Sequence, residues 1–240
     1  MELLELKEKI IKSFQGSKQE LSDVFQMIDN DKSIYPFNEY EHMVCAFIEK
    51  GGLTYRQYLD IRSESISANP NLWIFEISAP RGFGEKFAQT YVQGMCSKLK
   101  VTSRQLDPNY AGEYDLWLDG IKIEVKASRA VDSDVDAPLY VRALSRNTQK
   151  NFLMNFQQLK PQYCDVFIWV AVFRDEIVLW VMSSDDVLNH PLYSKGQHRG
   201  NSGNEGQLHI RQDSISLFEK YELQGQTLEQ AIRNAAKSET

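Results

Sequence analysis

The sequence predicts an α/β protein: an α/β/α sandwich around a mixed sheet, preceded by a lobe of helices. Three observations predict it. Two uninterrupted apolar runs, DVFIWVAVF and EIVLWVM, flank the turn Arg174-Asp175, and strands without a polar face need a covering layer above and below. Helical patterns at 82–99 and 145–160 supply the two layers. The first 66 residues carry apolar positions at three- and four-residue intervals and read as helices alone.

In chain order, the lobe reads ELLELKEKIIKSF, KQELSDVFQMI, FNEYEHMVCAFIEK ended by Gly51-Gly52, and TYRQYLDI. The polar segment SESISANPN closes it, which divides the chain into a helical lobe, 1–78, and a second domain, 79–240. LWIFEIS reads as a short strand. GFGEKFAQTYVQGMCSKL reads as a helix, with Phe83, Phe87, Tyr91, Met95 and Leu99 at four-residue steps. A hairpin follows at 113–126, then an irregular acid-bearing loop at 129–144. SRNTQKNFLMNFQQLK (145–160) reads as a helix stopped by Pro161, ahead of the two apolar strands. LHIRQDSISLF reads as a continuous strand. The last helix opens on Thr227-Leu-Glu-Gln230, a capping box.

The hairpin poses the chemical question. Asp119-Gly120 suits a type I′ turn, which sets Leu118 opposite Ile121, Leu116 opposite Ile123, Asp115 opposite Glu124 and Glu113 opposite Lys126. Alternation then gives an apolar face of Tyr114, Leu116, Leu118, Ile121, Ile123 and Val125. The other face carries Glu113, Asp115, Trp117, Lys122, Glu124 and Lys126. Two ionised carboxylates about 5 Å apart repel by roughly 3 kcal/mol at an effective dielectric of about 20. Lys126 relieves part of this, and a divalent cation would relieve it fully. Mg²⁺ is commonly held by one or two carboxylates while it keeps several waters. The plain alternative is a solvated face of weak ion pairs.

Composition excludes several classes. Hydrophobic content of 42% and charged content of 25% are those of a globular protein. The longest apolar run, 166–173, is too short to span a bilayer, and MELLELKEKI is too charged for a signal peptide. Cys45, Cys96 and Cys164 are odd in number and widely spaced, which argues against a disulfide framework and for a cytoplasmic protein. The net charge of −6 opposes nucleic-acid binding if spread evenly, but it is not. Residues 79–106 carry Arg81, Lys86, Lys98, Lys100 and Arg104 against Glu85 alone, and 190–211 are rich in Lys, Arg and His. Such a distribution can present a basic cleft on an acidic body.

An acid-bearing helix, an Asp opening a hairpin strand, Glu-x-Lys in its partner and buried strands beyond resemble the PD-(D/E)xK nuclease superfamily. Type II restriction endonucleases are its best-known members. The resemblance covers roughly 80–185. Asp115 matches the metal-binding Asp, Glu124 the second acid, Lys126 the catalytic lysine, and Glu85 the acid many members carry on the preceding helix. The chain reads Glu113-Tyr114-Asp115 where the pattern has Pro before the Asp.

The resemblance implies a restriction-endonuclease-like α/β/α fold, Mg²⁺ held by Asp115 and Glu124, and hydrolysis of phosphodiester bonds in double-stranded DNA at a specific short sequence. A double-strand break then suggests a homodimer on a palindromic site or sequential nicking by a monomer, with 1–78 as a dimerisation or recognition element. Base reading needs Arg, Asn, Gln, Lys or Ser on loops. The stretch KGQHRGNSGNEGQ offers Lys195, Gln197, His198, Arg199, Asn201 and Asn204. Arg129, Arg142 and Arg146 are further candidates near the same groove. Glu113 is a spare acid. The rival readings are a repair or recombination nuclease of the same fold, a non-catalytic DNA-binding protein, and a His-Asn-His nuclease built on His198, Asn201, Asn204 and His209. The last requires a helix after its second strand.

Overall fold

A computed structural model describes residues 3–28, 43–44, 46–196 and 205–237. In the lobe, α1 (Leu3–Ser13) and α2 (Lys18–Ile28) follow the expected periodicity, and α3 (Tyr55–Ala68) begins at a Thr54–Gln57 capping box. The expected helix at 37–50 lies partly outside the described residues; 43–44 and 46–49 are helical. Ile10, Met43, Val44, Phe47, Leu53 and Ile61 form a small core of their own.

Leu72–Glu76 is a 3₁₀ turn rather than the expected strand. Leu72, Ile74 and Phe75 are buried in the main core, so three consecutive-phase apolar residues serve a tight turn instead of a ladder. The next helix runs as a π-helix, Gly82–Gln89, continuing into α4 (Thr90–Met95). Its wider turn lets Phe83, Phe87 and Tyr91 stack at 6.0 Å steps.

The strands are β1 (Lys100–Val101), β2 (Leu116–Leu118), β3 (Ile121–Arg129), β4 (Val131–Asp132), β5 (Phe152–Leu159), β6 (Val166–Val172) and β7 (Ile177–Ser183). They are followed by α5 (Ser184–Leu188), β8 (Tyr193–Lys195), β9 (Gly206–Arg211) and α6 (Leu228–Lys237). A five-stranded mixed sheet has the order β1-β2-β3-β6-β7. Among the described residues its one parallel pair is β3 with β6, in register from Ile123↔Val166 to Arg129↔Val172.

The mixed sheet and the flanking helices make this an α/β protein. The third layer differs from the expectation. One face of the sheet, including Leu116, Ile123, Ile168 and Val181, packs against Phe83, Ala88 and Val92 and against Leu228 and Ile232 of α6. The other face carries Phe167, Trp169, Trp180 and Met182, and it packs against a second sheet of order β4-β5-β9-β8. The residues expected as helix 145–160 supply β5 of that sheet, with Phe152, Met154 and Phe156 facing inward. The α/β/α sandwich is therefore corrected to helices, mixed sheet, second sheet.

LHIRQDSISLF is also divided: β9 ends at Arg211 and Ile215–Tyr221 is a 3₁₀ helix. The terminal capping box is present, Thr227 N–H donating to Gln230 Oε1 and Gln230 N–H to Thr227 Oγ1. Among the described residues no helix is long and apolar enough to cross a membrane.

Candidate active site

Asp119 (φ 48°) and Gly120 (φ 99°) both adopt the left-handed conformation that a type I′ turn needs. The pairing Leu116↔Ile123, Trp117↔Lys122 and Leu118↔Ile121 is the register the Asp-Gly pair predicts. Beyond it, the Asp115 amide donates to the Ile123 carbonyl at 3.0 Å, which brings the Asp115 side chain beside Glu124 and Val125.

The alternation fails one residue upstream. Tyr114 is not on the face of Leu116; it is buried in the inter-sheet core near Trp117. β2 starts only at Leu116, so the chain before it is free to turn. The Tyr114 hydroxyl donates to Asp107 at 2.8 Å and holds that carboxyl below its usual range. Glu113 accepts from the Ala111 amide at 2.7 Å, within its own turn, and does not reach Lys126.

Asp115, Glu124 and Lys126 come together on the floor of a cleft of about 750 Å³. The π-helix forms one wall, through Arg81, Glu85 and Gln89, and β5 another, through Asn155, Gln157 and Gln158. Asp115 is held by both oxygens: Val125 N–H donates to Oδ2 at 2.8 Å and Gln89 Nε2 to Oδ1 at 2.8 Å. Lys126 Nζ lies 2.5 Å from Glu124 Oε1, with the two side chains 20% and 13% exposed.

Burial dominates the electrostatics. It pushes Asp115 above the usual carboxylate range, partly offset by the Val125 N–H and the Lys126 charge. It pushes Glu124 up to about 7, with Lys126 opposing and Asp115 adding to the rise. Two carboxyls forced together out of water resist carrying two charges.

Glu85 lines the same cleft but is exposed, and it pairs with Arg81 at 3.4 Å. Arg129 also lines the cleft; its Nη1 donates to the carbonyls of Ile74 (3.0 Å) and Ile77 (2.8 Å), and its guanidinium sits 4.2 Å from the centre of the Phe83 ring. Arg142 lines the cleft while donating to the Asp132 carbonyl at 2.9 Å. Arg146 does not line it. It is engaged with Glu176 at 3.0 Å and Glu222 at 2.6 Å. Lys195 ends the short strand β8 and is exposed. Gln197, His198, Arg199, Asn201 and Asn204 lie outside the described residues.

Sequence reasoning missed Gln89, although it stands four residues after Glu85 on the same helical turn. It also missed Asn155, Gln157 and Gln158, because the helix expected at 145–160 gave them no common face.

The donor set fits a small hard cation. With both carboxyls ionised, one ammonium leaves a net negative charge, and each Asp115 oxygen has a second lone pair beyond the hydrogen bond it accepts. Among the described residues no group of three or more His, Cys, Asp or Glu forms a fuller cage. A pair of carboxylates completed by water is the pattern of Mg²⁺ rather than of a structural zinc site. No protein-family model matches the chain, and comparison with curated proteins returns no match.

Proposed function

We propose that the protein is a Mg²⁺-dependent endonuclease that hydrolyses phosphodiester bonds of double-stranded DNA at a specific short sequence, as a type II restriction endonuclease does. The observation that carries this reading is the buried pair Asp115 and Glu124 with the Lys126 ammonium beside them at the floor of an open cleft. Burying opposed acids serves no purpose in a solvated hairpin, where a neutral or basic partner would stabilise the sheet better.

Asp115 and Glu124 would hold the cation, which when bound polarises a phosphoryl oxygen and acidifies a water. The chain's own residues do the rest. Gln89 and the Val125 amide fix the Asp115 carboxylate, so its free lone pairs keep one direction. Lys126 orients the attacking water and opposes the negative charge that builds on the phosphate. An ammonium about 4 Å from that charge contributes roughly 4 kcal/mol at an effective dielectric of about 20. Water loses a proton to solvent as its oxygen bonds to phosphorus, the bond to the 3′-oxygen breaks, and that oxygen leaves with a proton from solvent. Arg129 and Arg142 supply positive charge along the cleft for the flanking phosphates.

One such site cuts one strand, so a homodimer on a palindrome is the economical way to cut both. Residues 1–78 are the candidate dimerisation or recognition element. The free, buried Cys96 and Cys164 are consistent with a cytoplasmic setting.

The test is cleavage of a long sequenced duplex with Mg²⁺, with EDTA, and with Lys126→Ala. Discrete fragments that depend on both Mg²⁺ and Lys126 support the proposal. A smear with the same dependence replaces site-specific cleavage with a repair or non-specific nuclease. Absence of cleavage with any divalent metal on several DNAs removes the nuclease reading.

A further inference from the structure

β5 carries an irregularity at the mouth of the cleft. Phe156 pairs with Leu208 and Leu159 pairs with Gly206, so Gln157 and Gln158 together stand opposite the single residue Gln207. This is a β-bulge, and Gln158 absorbs it with φ 57°, a conformation that glycine adopts far more readily. In a regular strand, consecutive residues point to opposite faces. Here both are exposed, as is Asn155, and all three line the cleft above the acid pair.

Among the described residues none of the three side chains makes a hydrogen bond, while the Asn155 backbone N–H donates to Ser128 Oγ at 2.9 Å. That contact ties β5 to β3 at Ser128, two residues after Lys126, so the amides stand on a rigid support close to the acid pair. Bulges beside active sites commonly re-aim a side chain. A structural role would have favoured Gly at a position with this φ. The chain keeps a glutamine there instead.

We propose that the bulge is a base-reading element: Gln157 and Gln158, with Asn155 beside them, hydrogen-bond base edges of the bound DNA and fix part of the cleaved sequence. An amide offers an adjacent donor and acceptor, which pair with N7 and N6 of adenine in the major groove. The base read is therefore an adenine of the target, close to the cut. Arg129 and Arg142 on the same cleft meet phosphates and set the register of the duplex. The inference rests on the nuclease reading of this cleft and adds a substrate preference to it.

The experiment compares wild type with Gln157→Ala, Gln158→Gly and the double variant on a pool of duplexes of randomised sequence, sequencing the cut ends. Gln158→Gly removes the amide while keeping the backbone conformation the bulge needs, so loss of fold does not confuse the result. We expect wild type to cut a defined sequence and the variants to cut it still, with discrimination at one or two A·T positions lowered on the order of 10- to 100-fold. Should the variants cut too slowly to sequence, competition binding of cognate and scrambled duplexes is measured in a Lys126→Ala background. A preference that falls with the glutamines then supports the proposal, and an unchanged one overturns it. Identical cut sites for variants and wild type overturn it while leaving the nuclease intact. Cleavage by wild type without sequence preference does the same. Absence of cleavage by wild type removes the nuclease reading and the base-reading bulge with it.

Discussion

Gln89 Nε2 donates to Asp115 Oδ1 at 2.8 Å, from the π-helix across to the hairpin. The contact joins the two elements that form the cleft and leaves the Asp115 carboxylate no freedom to rotate, since its other oxygen accepts from Val125 N–H. Groups that orient a metal-binding carboxylate typically contribute 10- to 100-fold to metal affinity or activity. We expect Gln89→Ala to lower cleavage by about that factor and to raise the Mg²⁺ concentration needed for half-maximal rate, with little change in thermal stability. A rate unaffected at every Mg²⁺ concentration would make Gln89 a packing residue.

In the proposed reaction Lys126 is the group most directly tied to the chemical step. Lys126→Ala removes charge stabilisation that is present only in the transition state, so kcat is expected to fall on the order of 10²- to 10³-fold. The same substitution takes a cation away from Glu124. Binding of Mg²⁺, followed by calorimetry, should therefore persist or tighten. Loss of both Mg²⁺ binding and activity would make Lys126 a structural partner of Glu124 instead.

Glu124 gives a pH signature with a definite sign. Its folded value of about 7 lies above the usual carboxylate range because burial disfavours the charged form. At pH values below the unfolded-state pKa both states are protonated and the group costs nothing. As pH rises from there towards 7 the unfolded chain releases its proton first, so metal-free stability falls across this window and levels off above it. Mg²⁺ competes with the same proton. Its stabilising effect should grow as pH rises to about 7 and then become constant. Melting curves from pH 5 to 8 with and without Mg²⁺ read both trends, and an equal Mg²⁺ shift at both ends of that range would exclude Glu124 as a ligand.

Arg129 has a structural duty, and the proposed function adds phosphate contact to it. Its guanidinium caps the carbonyls of Ile74 and Ile77 and lies over Phe83. Arg129→Ala should destabilise the fold by about 2 kcal/mol in urea titration, since hydrogen bonds to a charged donor are lost together with packing. Unchanged stability with weakened DNA binding would assign the residue to phosphate contact alone.

Arg146 serves as a contrast. It is paired with Glu176 and Glu222, and its side chain is 35% exposed. Arg146→Ala should cost roughly 1 kcal/mol or less and leave DNA cleavage unchanged. A large loss of DNA affinity at normal stability would return it to the DNA-contacting surface.

The acids, the hairpin and the two central strands were legible because each depends on local rules. Asp119-Gly120 fixes its own turn, the turn fixes the register, and the register places Asp115 beside Glu124. Runs such as 166–172 have no polar face to expose and must lie inside. Within 145–160, Phe152, Phe156 and Leu159 recur at the four- and three-residue steps of a helix, while Phe152, Met154 and Phe156 recur equally well at two. Over so short a segment the two periods are indistinguishable. The second sheet, in which β5 pairs with the much later strand β9, decided between them.

The sequence by itself thus determined an α/β chain, a hairpin with opposed acids and a lysine next to them, and helices ahead of it. Tertiary structure alone decided that a second sheet covers the inner face, that Gln89 reaches Asp115, and that a bulge turns Gln157 and Gln158 into the cleft. The physical reason is range. Turn chemistry and alternation act between neighbours and are written in consecutive residues. The partner of a strand or of a buried carboxylate is chosen by packing among distant segments, and that choice exists only once the chain has folded.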